Sequence, residues 1–584
     1  MGNGIKDFKD LRDFKVVRVL KGISRLSFCR LFRSLCRNLV FFNTFVANLI
    51  ITVPMNKFTK LALCATVPSV AAAPATAAGK ADKAKNDKRP NVIFILMDDA
   101  GHGDFGCYGQ TKTETPNIDA LAENGIRFTN MYTAAPVSSP SRCCLLTGMN
   151  SGHAQIRDNQ EVQDGNPRVW YYDDVYMDPT LEGQYPLHAD TPTLGTEMQK
   201  AGYRTGMVGK WGVGGPANES KPWTMGFDFY YGCICQRLAH NYYTPFYWKN
   251  DQKEQINKEY INPGTPLDEG ADPRDPRSYD KYSKGKVYGP DVMFENVKEF
   301  VNENAERPFF LMWTTPLPHS PLQAPQEWVD HYVAKFGDEE PLAGDDFHQN
   351  VWPHNYYPCR YPHATYAAMI SYFDHQVGEL VKELKRLGIY ENTIIIFTSD
   401  NGPANNASSP TVWFDSAQPF RCGKGWGKRS LHEGGIRMPF IASWPAKIKK
   451  GIVSDHIGDF TDIMPTVCEI GGVECPQTDG VSLLPLLSGK EKKQKEHEYL
   501  YWEYPTKGGI FAVRWGKWKG LVQDVNKGNR KMELYDLTTP SKEVEDFRNN
   551  VAAEDPEIVE RMWGYINESH VPAENPNFNI KYTK

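Results

Sequence analysis

Two runs of buried-strand character each end in a pair of oxygen-bearing side chains. NVIFILM (91–97) runs into Asp98 and Asp99, and NTIIIFTS (392–399) runs into Asp400 and Asn401. Continuous β-branched and apolar runs belong to strands covered on both faces, and sheets built of them bind ligands at their carboxyl ends. The four side chains are hard oxygen donors with no Cys or His beside them, which suits calcium or magnesium rather than zinc. One pair alone reads as a turn or a helix cap; two pairs at equivalent strand ends point to a metal site.

Between them lies SSPSRCCLLTG (138–148). Pro140 suits the first turn of a helix, with Ser138 just before it. The free amides and positive end of that helix favour an anion, and Arg142 adds a charged fork. A serine and a proline alone would be no more than an N-cap. Cys143 follows Arg142 inside the helix turn and is expected to be simply buried rather than an acidified thiol.

The elements that must position these residues alternate. GYRTGMVG (202–209), PFFLMWTT (308–315) and MPFIASW (438–444) repeat the buried-strand signature, and amphipathic helical stretches such as TPTLGTEMQKAG and HATYAAMISYFDHQVGELVKELKRLG lie between strands. The expected fold class is α/β, a large, mainly parallel sheet sandwiched by helices. From about residue 490 a charged run gives way to short aromatic strands (YLYWEYP, IFAVRWGKWKGLV, MELYDL), which predict a small antiparallel C-terminal subdomain walling the cleft, with Trp502, Trp515 and Trp518 in its core. The expected boundaries are 90–489 for the catalytic domain and 490–584 for the subdomain. At 584 residues the chain exceeds what one core usually serves. A net charge of −5 argues against a nucleic-acid surface, so an anionic substrate must be held by local charges.

The leader reads differently. Residues 1–38 are rich in Lys and Arg, and 39–53 is apolar but short for a membrane span. Met55 then opens a stretch with Lys57, Lys60, a modest apolar run and small-residue cleavage sites near Ala73 and Ala77, the pattern of a secretory signal. We expect translation to begin at Met55, residues 1–54 to be an over-extended reading, 55–78 to be a signal peptide and 79–89 a charged tether; a signal-anchor at 39–53 is the alternative. The expected destination is the periplasm, or the cell surface if Cys64 accepts lipid, although Leu63 fits that role poorly. Nine cysteines remain beyond the leader, in neither a zinc pattern nor a disulfide framework, and are expected to be buried thiols with one or two bridges.

SSPSRCCLLTG matches the pattern C/S-x-P-S-R-x-x-L-x-T-G through Ser138, Pro140, Ser141, Arg142, Leu145, Thr147 and Gly148. In this the chain resembles the type I, formylglycine-dependent sulfatases, of serine type. MDDAGHGDFGCYG (97–109) is similar to that family's first metal segment, GMVGKWG (206–212) to its sulfate-binding lysine segment, and PLPHSP (316–321) to its histidine segment. SDNG (399–402) and GKRSLHEGGIRMP (427–439) are similar to its second metal and lysine segments, and ELYDL (533–537) is also typical. The resemblance implies an alkaline phosphatase-like fold and one calcium ion held by Asp98, Asp99, Asp400, Asn401 and the modified Ser138. It assigns Arg142, Lys210, His319 and Lys428 to catalysis. It further implies oxidation of Ser138 to formylglycine (3-oxoalanine) by a radical-SAM maturing enzyme before export, as in anaerobic bacteria.

A hydrated aldehyde explains why serine is not enough: one hydroxyl attacks sulfur, and the other, once deprotonated, expels the sulfate. Calcium, Lys210, Lys428 and Arg142 would stabilise the sulfate oxygens, and His319 or Lys428 would protonate the leaving oxygen. One departure stands out. Family members often carry a His where this chain has Gly212, so the usual regenerating base is missing. His240, within CQRLAHNYY beside Arg237, Tyr242 and Tyr243, is the candidate replacement or else a sugar contact. His102 and His432 are expected to be loop residues rather than ligands. Long insertions (213–290 and 336–362) and abundant Tyr and Trp suit a sulfated carbohydrate better than a small aryl ester. Two alternatives remain open at this point: a phospho-ester hydrolase of the same superfamily using Ser138 directly, and a sulfated-glycan binder that has lost the chemistry.

Overall fold

The computed structural model describes residues 88–343, 356–404 and 409–583, which belong to one compact unit, 75–584. The leader expected over 1–78, Cys64 and most of the tether lie outside the described residues. At the tether's end Arg89 donates to Gly471 O (3.4 Å) and to Ala201 O and covers the Tyr203 ring, so the packed domain begins just ahead of the first strand. Among the described residues no helix is long and apolar enough to cross a membrane.

Ten strands form one mixed sheet: β1 Asn91–Met97, β2 Ile126–Tyr132, β3 Arg204–Lys210, β4 Phe229–Cys233, β5 Phe246–Lys249, β6 Gln252–Gln255, β7 Phe309–Thr314, β8 Thr393–Ser399, β9 Phe440–Ser443 and β10 Ile452–Asp459. Their order is β10-β2-β9-β8-β1-β7-β3-β4-β5-β6. All seven residues of β1 and all seven of β8 are buried, as their unbroken apolar runs require. Two expected strands shift at their starts. Gly202, at φ 79, turns the chain after the preceding helix, so β3 begins at Arg204 and reaches Lys210; Met438 spends its N–H on Met131 O, so β9 begins at Phe440.

The strand directions decide where chemistry can occur. β1 is parallel to β7 and β8, and β7 is parallel to β3. β2 and β8 are both antiparallel to β9, so they run the same way. The carboxyl ends of β1, β2, β3, β7 and β8 therefore open on one edge. Met97 pairs with Ser399, which brings Asp98 and Asp400 out of the sheet side by side.

Helices flank this sheet. We label α1 Pro116–Glu123, α2 Ser138–Thr147, α3 Leu194–Lys200, α4 Gly289–Asn304, α5 Pro362–Arg386, α6 Ile463–Gly471 and α7 Pro556–Ser569. Trp313 of β7 meets Phe294 of α4 (5.4 Å) and Phe373 of α5 (4.7 Å) on one face. Phe310, of opposite parity on the same strand, stacks on Phe227 at 6.4 Å. Gly209 shows why the lysine segment carries a glycine: at φ 122, a Cβ there would lie 2.0 Å from Thr314 O of the adjacent strand.

The second sheet is antiparallel, β11 Leu500–Tyr504, β12 Ile510–Trp515, β13 Trp518–Val522 and β14 Glu533–Asp536 in sequence order, with α7 packed on β12. The expected C-terminal subdomain is therefore present. Trp502 is fully buried in one cluster with Tyr132 and Leu431 and donates to Thr133 O (2.8 Å), while Trp515 and Trp518 are half-buried against a second cluster that includes Phe511, Val513 and Met562. Arg157 pairs with buried Glu503 at 2.6 Å, and Lys519 with buried Glu433 at 2.8 Å. Removing one partner of such a pair costs about 3–5 kcal/mol.

The expected disulfides are absent: all nine described cysteines are free. Several are sealed off separately in the core, and burial pushes the Cys143 thiol up to about 11 and those of Cys233 and Cys235 up to about 12. Cys143 is thus an inert core group, as its place in the helix suggests.

The approach to the C-terminal sheet carries a titratable clip. His497 Nε2 lies 2.6 Å from Asp462 Oδ1. Burial lowers its imidazole, but Asp462 outweighs burial and raises it to about 9. A histidine raised above its unfolded value of 6.5 gives stability that is complete below that pH and is lost as pH rises through about 9. Calorimetry should show the wild-type melting temperature falling across this window and a flatter profile for His497→Gln; identical slopes would contradict the pairing.

Candidate active site

Five strand ends supply the site, and each delivers its side chain for a local reason. Asp98 and Asp99 leave β1; the Asp98 N–H is held by Leu317 O at 3.0 Å, and Asp99 turns into the left-handed region at φ 64. Strained non-glycine backbone of this kind persists where surrounding structure enforces it. Here the Asp99 N–H donates to Asp400 Oδ1 at 3.2 Å, which ties the two strand ends together. Asn401, next on β8's exit, gives its Nδ2 to Asp99 Oδ1 (2.7 Å) and turns its Oδ1 to Ser138 Oγ (3.4 Å). Asp98, Asp99, Asp400 and Asn401 are all buried.

Ser138 opens α2 after β2. The helix starts at Ser138 itself, not after it, with Val137 extended ahead of it and Pro140 still within the first turn. All ten residues of α2 are buried. Ser138 Oγ sits 3.3 Å from Asp98 Oδ1 and 3.3 Å from Lys210 Nζ. The turn is fixed from both sides: Ser139 gives its N–H to Asn159 Oδ1 (2.9 Å) and its hydroxyl to Gly212 O (2.8 Å), while Ser141 and Thr133 hydroxyls both donate to Asp400 O.

Three cations answer the three acids. Lys210, the last residue of β3, reaches Asp98 Oδ2 at 2.5 Å; Lys428 reaches Asp99 Oδ1 at 2.5 Å; Arg142 spans Lys210 O (2.8 Å) and Asp400 Oδ2 (3.0 Å). Burial alone would raise the Asp98 and Asp99 carboxyls. Lys210, His319 and Arg142 around the first, and Lys428 and His319 around the second, outweigh it and hold both below the ordinary carboxylate range.

His319 comes from the loop after β7. Its Nδ1 faces Ser320 O at 2.5 Å and its Nε2 faces Asp99 Oδ2 at 3.6 Å; burial pushes the imidazole down. Tyr242 OH donates to Pro316 O and His319 O, so Tyr242 shapes this loop rather than facing a sugar, and Tyr243 packs on Tyr288. His240 does reach the site: its ring stacks on His319 with centroids 5.2 Å apart and planes 5° from parallel, and its Nδ1 lies 3.0 Å from Tyr172 OH. Arg237 stands over Trp170 (4.3 Å) and pairs with Glu161.

Asp98, Asp99 and His319 place ligand atoms within 4.8 Å of one another, a group able to hold a metal ion. With Asp400, Asn401 and Ser138 adjoining, the donors are mostly buried oxygens, which fits a hard divalent cation. His102 and His432 stand outside this group, His102 bonded to Gln418 O (2.9 Å) and His432 packed at a tilt on Trp426 (4.3 Å).

Several members escape sequence reading. Gln236 donates to Ser139 Oγ and packs against Gly212; Tyr356 packs on both His240 (5.3 Å) and His319 (6.0 Å). Neither carries a motif, although both lie in or beside the segments whose aromatic and polar content drew notice.

The comparisons with known proteins agree with this geometry. The family model described as Sulfatase matches residues 90–473, and one described as N-sulphoglucosamine sulphohydrolase, C-terminal, matches 423–571. Human arylsulfatase A is 29% identical over 450 residues, covering 74% of this chain and 74% of its own. The N-acetylgalactosamine-6-O-sulfatase of Bacteroides thetaiotaomicron is 29% identical over 529 residues, covering 82% and 93%. The crystal structure of Ps i-CgsB shares the fold, with a TM-score of 0.63 at 23% identity over 84% of this chain and 94% of that one. The site and fold define a sulfuric ester hydrolase of the alkaline phosphatase-like class. The chain belongs to the sulfatase family.

Gly212 departs from the family pattern for a visible reason. Its φ is 78, and a Cβ there would lie 3.3 Å from Arg142 Cδ and from Gln236 Cγ and Nε2. Restoring the expected residue as Gly212→His should lower stability by about 1–3 kcal/mol through left-handed strain and should not raise activity, as read by thermal melting and sulfate release. A stable, more active variant would contradict the arrangement.

Proposed function

We propose that this sulfatase is an exported enzyme that removes sulfate from sulfated glycans, using a formylglycine made from Ser138 by a radical-SAM maturing enzyme and one calcium ion. The carrying observation is the position of Ser138 Oγ: at the start of a fully buried helix, 3.3 Å from both Asp98 and Lys210 and 3.4 Å from Asn401. A helix start favours an anion there; Lys210 reaches Ser138 itself, and Lys428 and Arg142 reach the acids that surround it.

Asp98, Asp99, Asp400 and Asn401, with the residue at 138, would hold the calcium, which supplies positive charge against the sulfate oxygens. As an aldehyde hydrate, position 138 would supply two hydroxyls, one able to displace the alcohol and one whose deprotonation would release the sulfate. The chain's own side chains do the rest. Lys210 and Lys428 fix the sulfate oxygens and stabilise charge developing on them. Arg142, clamped between Asp400 and Lys210 O, keeps the acid cage in register. His319 and Lys428 both flank Asp99 and are the two groups able to hand a proton to the departing oxygen. His240 replaces the base that Gly212 cannot provide: its Nδ1 is engaged with Tyr172 and its ring lies flat on His319, which fixes the imidazole beside the pocket for proton exchange.

Sugars as substrate are supported by the aromatic wall beside His240, where Tyr172 and Tyr356 flank the ring and Trp170 and Tyr171 are exposed. The sulfated-sugar relative in Bacteroides thetaiotaomicron supports the same class. Mass spectrometry of the peptide containing position 138, after co-expression with a radical-SAM maturase, is the test. Conversion of serine to the aldehyde, accompanied by sulfate release that Ser138→Ala abolishes by several orders of magnitude, is the expected result. An active enzyme with unmodified Ser138 would sink the formylglycine reading.

A further inference from the structure

Every cation inside the sulfate pocket meets an acid: Lys210 meets Asp98, Lys428 meets Asp99 and Arg142 meets Asp400. One residue beyond Lys428 this pattern stops. Arg429 is exposed, sits at φ 66, and is fastened by its own N–H to Pro136 O (2.9 Å), two residues ahead of Ser138. Lys507 is exposed, sits at φ 54, and lies in the turn between β11 and β12. That turn is docked on the pocket's entrance: Thr506 hydroxyl donates to Asp158, and the next residue, Asn159, takes the Ser139 N–H of α2. Lys424 is exposed on the same loop as Arg429.

Among the described residues, none of these three side chains has a hydrogen-bonded or ion-paired acid. They lie near enough to act on one another. Burial pushes the Lys507 ammonium down, and Arg429 and Lys424 push it further. The Arg429 charge is also felt by Tyr356, the ring packed on His240 and His319, and by Asp158. Asp158 is the nearby carboxylate, and it is occupied by the Thr506 hydroxyl and the Asn159 N–H (2.7 Å). In a chain of net charge −5, these three mutually repelling cations stand without an acid partner at the mouth of an anion pocket, Arg429 held by its backbone N–H and the turn of Lys507 by Thr506.

We propose that Arg429, Lys507 and Lys424 form a second anion subsite on the cleft rim, selecting glycans that carry a further sulfate or carboxylate on the sugar adjoining the one whose ester is cleaved. This rests on the sulfatase reading of the Ser138 pocket. Consecutive Cα atoms are about 3.8 Å apart, so Lys428, facing the ester, and Arg429, facing the rim, are placed to contact neighbouring sugars of one chain. The arginine fork and lysine point charges suit either oxyanion.

The test compares the matured wild type with Arg429→Ala/Lys507→Ala on four probes. These are 4-nitrophenyl sulfate, a sulfated disaccharide whose neighbouring sugar is a uronate, the same disaccharide methyl-esterified at that carboxylate, and one with a second sulfate in its place. The double variant is expected to lose kcat/KM by about tenfold or more on the doubly charged probes, as expected for lost charge-assisted contacts. Little change is expected on 4-nitrophenyl sulfate or the ester, and Arg429→Lys with Lys507 intact should retain most of the preference. A uronate-only or second-sulfate-only effect identifies the anion and supports the subsite. Equal losses on all four probes, or no loss on any, would overturn it. A matured wild type that releases no sulfate from any probe would overturn the sulfatase reading and the subsite with it.

Discussion

Three carboxylates buried at the ends of two adjacent strands set the terms for the rest of the molecule. Asp98, Asp99 and Asp400 are each at most 3% exposed, and charges so placed are tolerated only when paired and hydrogen-bonded. Parallel pairing of β1 with β8 puts them side by side, and the chain answers with one cation from each of three other places: the end of β3, the first turns of α2, and the loop ahead of β9. What would otherwise be a folding liability becomes a compact alternation of charge.

The C-terminal sheet is part of this arrangement. Glu433, five residues after Lys428, is buried and meets Lys519 (2.8 Å), Arg437 (2.8 Å) and Tyr132 OH (2.8 Å). Burial would raise its carboxyl, but Lys519 and Arg437 outweigh that and hold it far below the usual range. Lys519 itself is fully buried on β13. The loop that presents Lys428 is thus anchored from behind by the subdomain, while Trp502 and Glu503 brace the turn that presents Ser138. The small sheet thus anchors the segments that carry Lys428 and Ser138.

Much of this was legible in the sequence because the chemistry is concentrated in contiguous segments. Unbroken apolar runs marked β1, β7 and β8, and the acids that follow them needed only the direction of the sheet to converge. Ser138, Arg142, Lys210, His319 and Lys428 all lie in short motifs, and the structure brings them together around Asp98 and Asp99. What escaped was set by tertiary packing. Whether Ser138 preceded or opened its helix depended on how Val137 was held, and cysteine pairing depended on distances that spacing does not encode. Tyr242, one of the aromatic residues beside His240, is a brace for the His319 loop. Gln236 and Tyr356 carry no motif, and Gly212 could be seen as a departure but not explained until Gln236 was found packed beside it.

On the proposed function, the buried oxygen cage and its surrounding lysines act on a sulfate ester with the help of a divalent cation. Sulfate release by the matured enzyme, measured before and after chelation and again on adding back calcium or magnesium, tests this most directly. Loss of turnover on chelation and recovery with calcium is the predicted result. Full activity in the chelated, metal-free enzyme would contradict it.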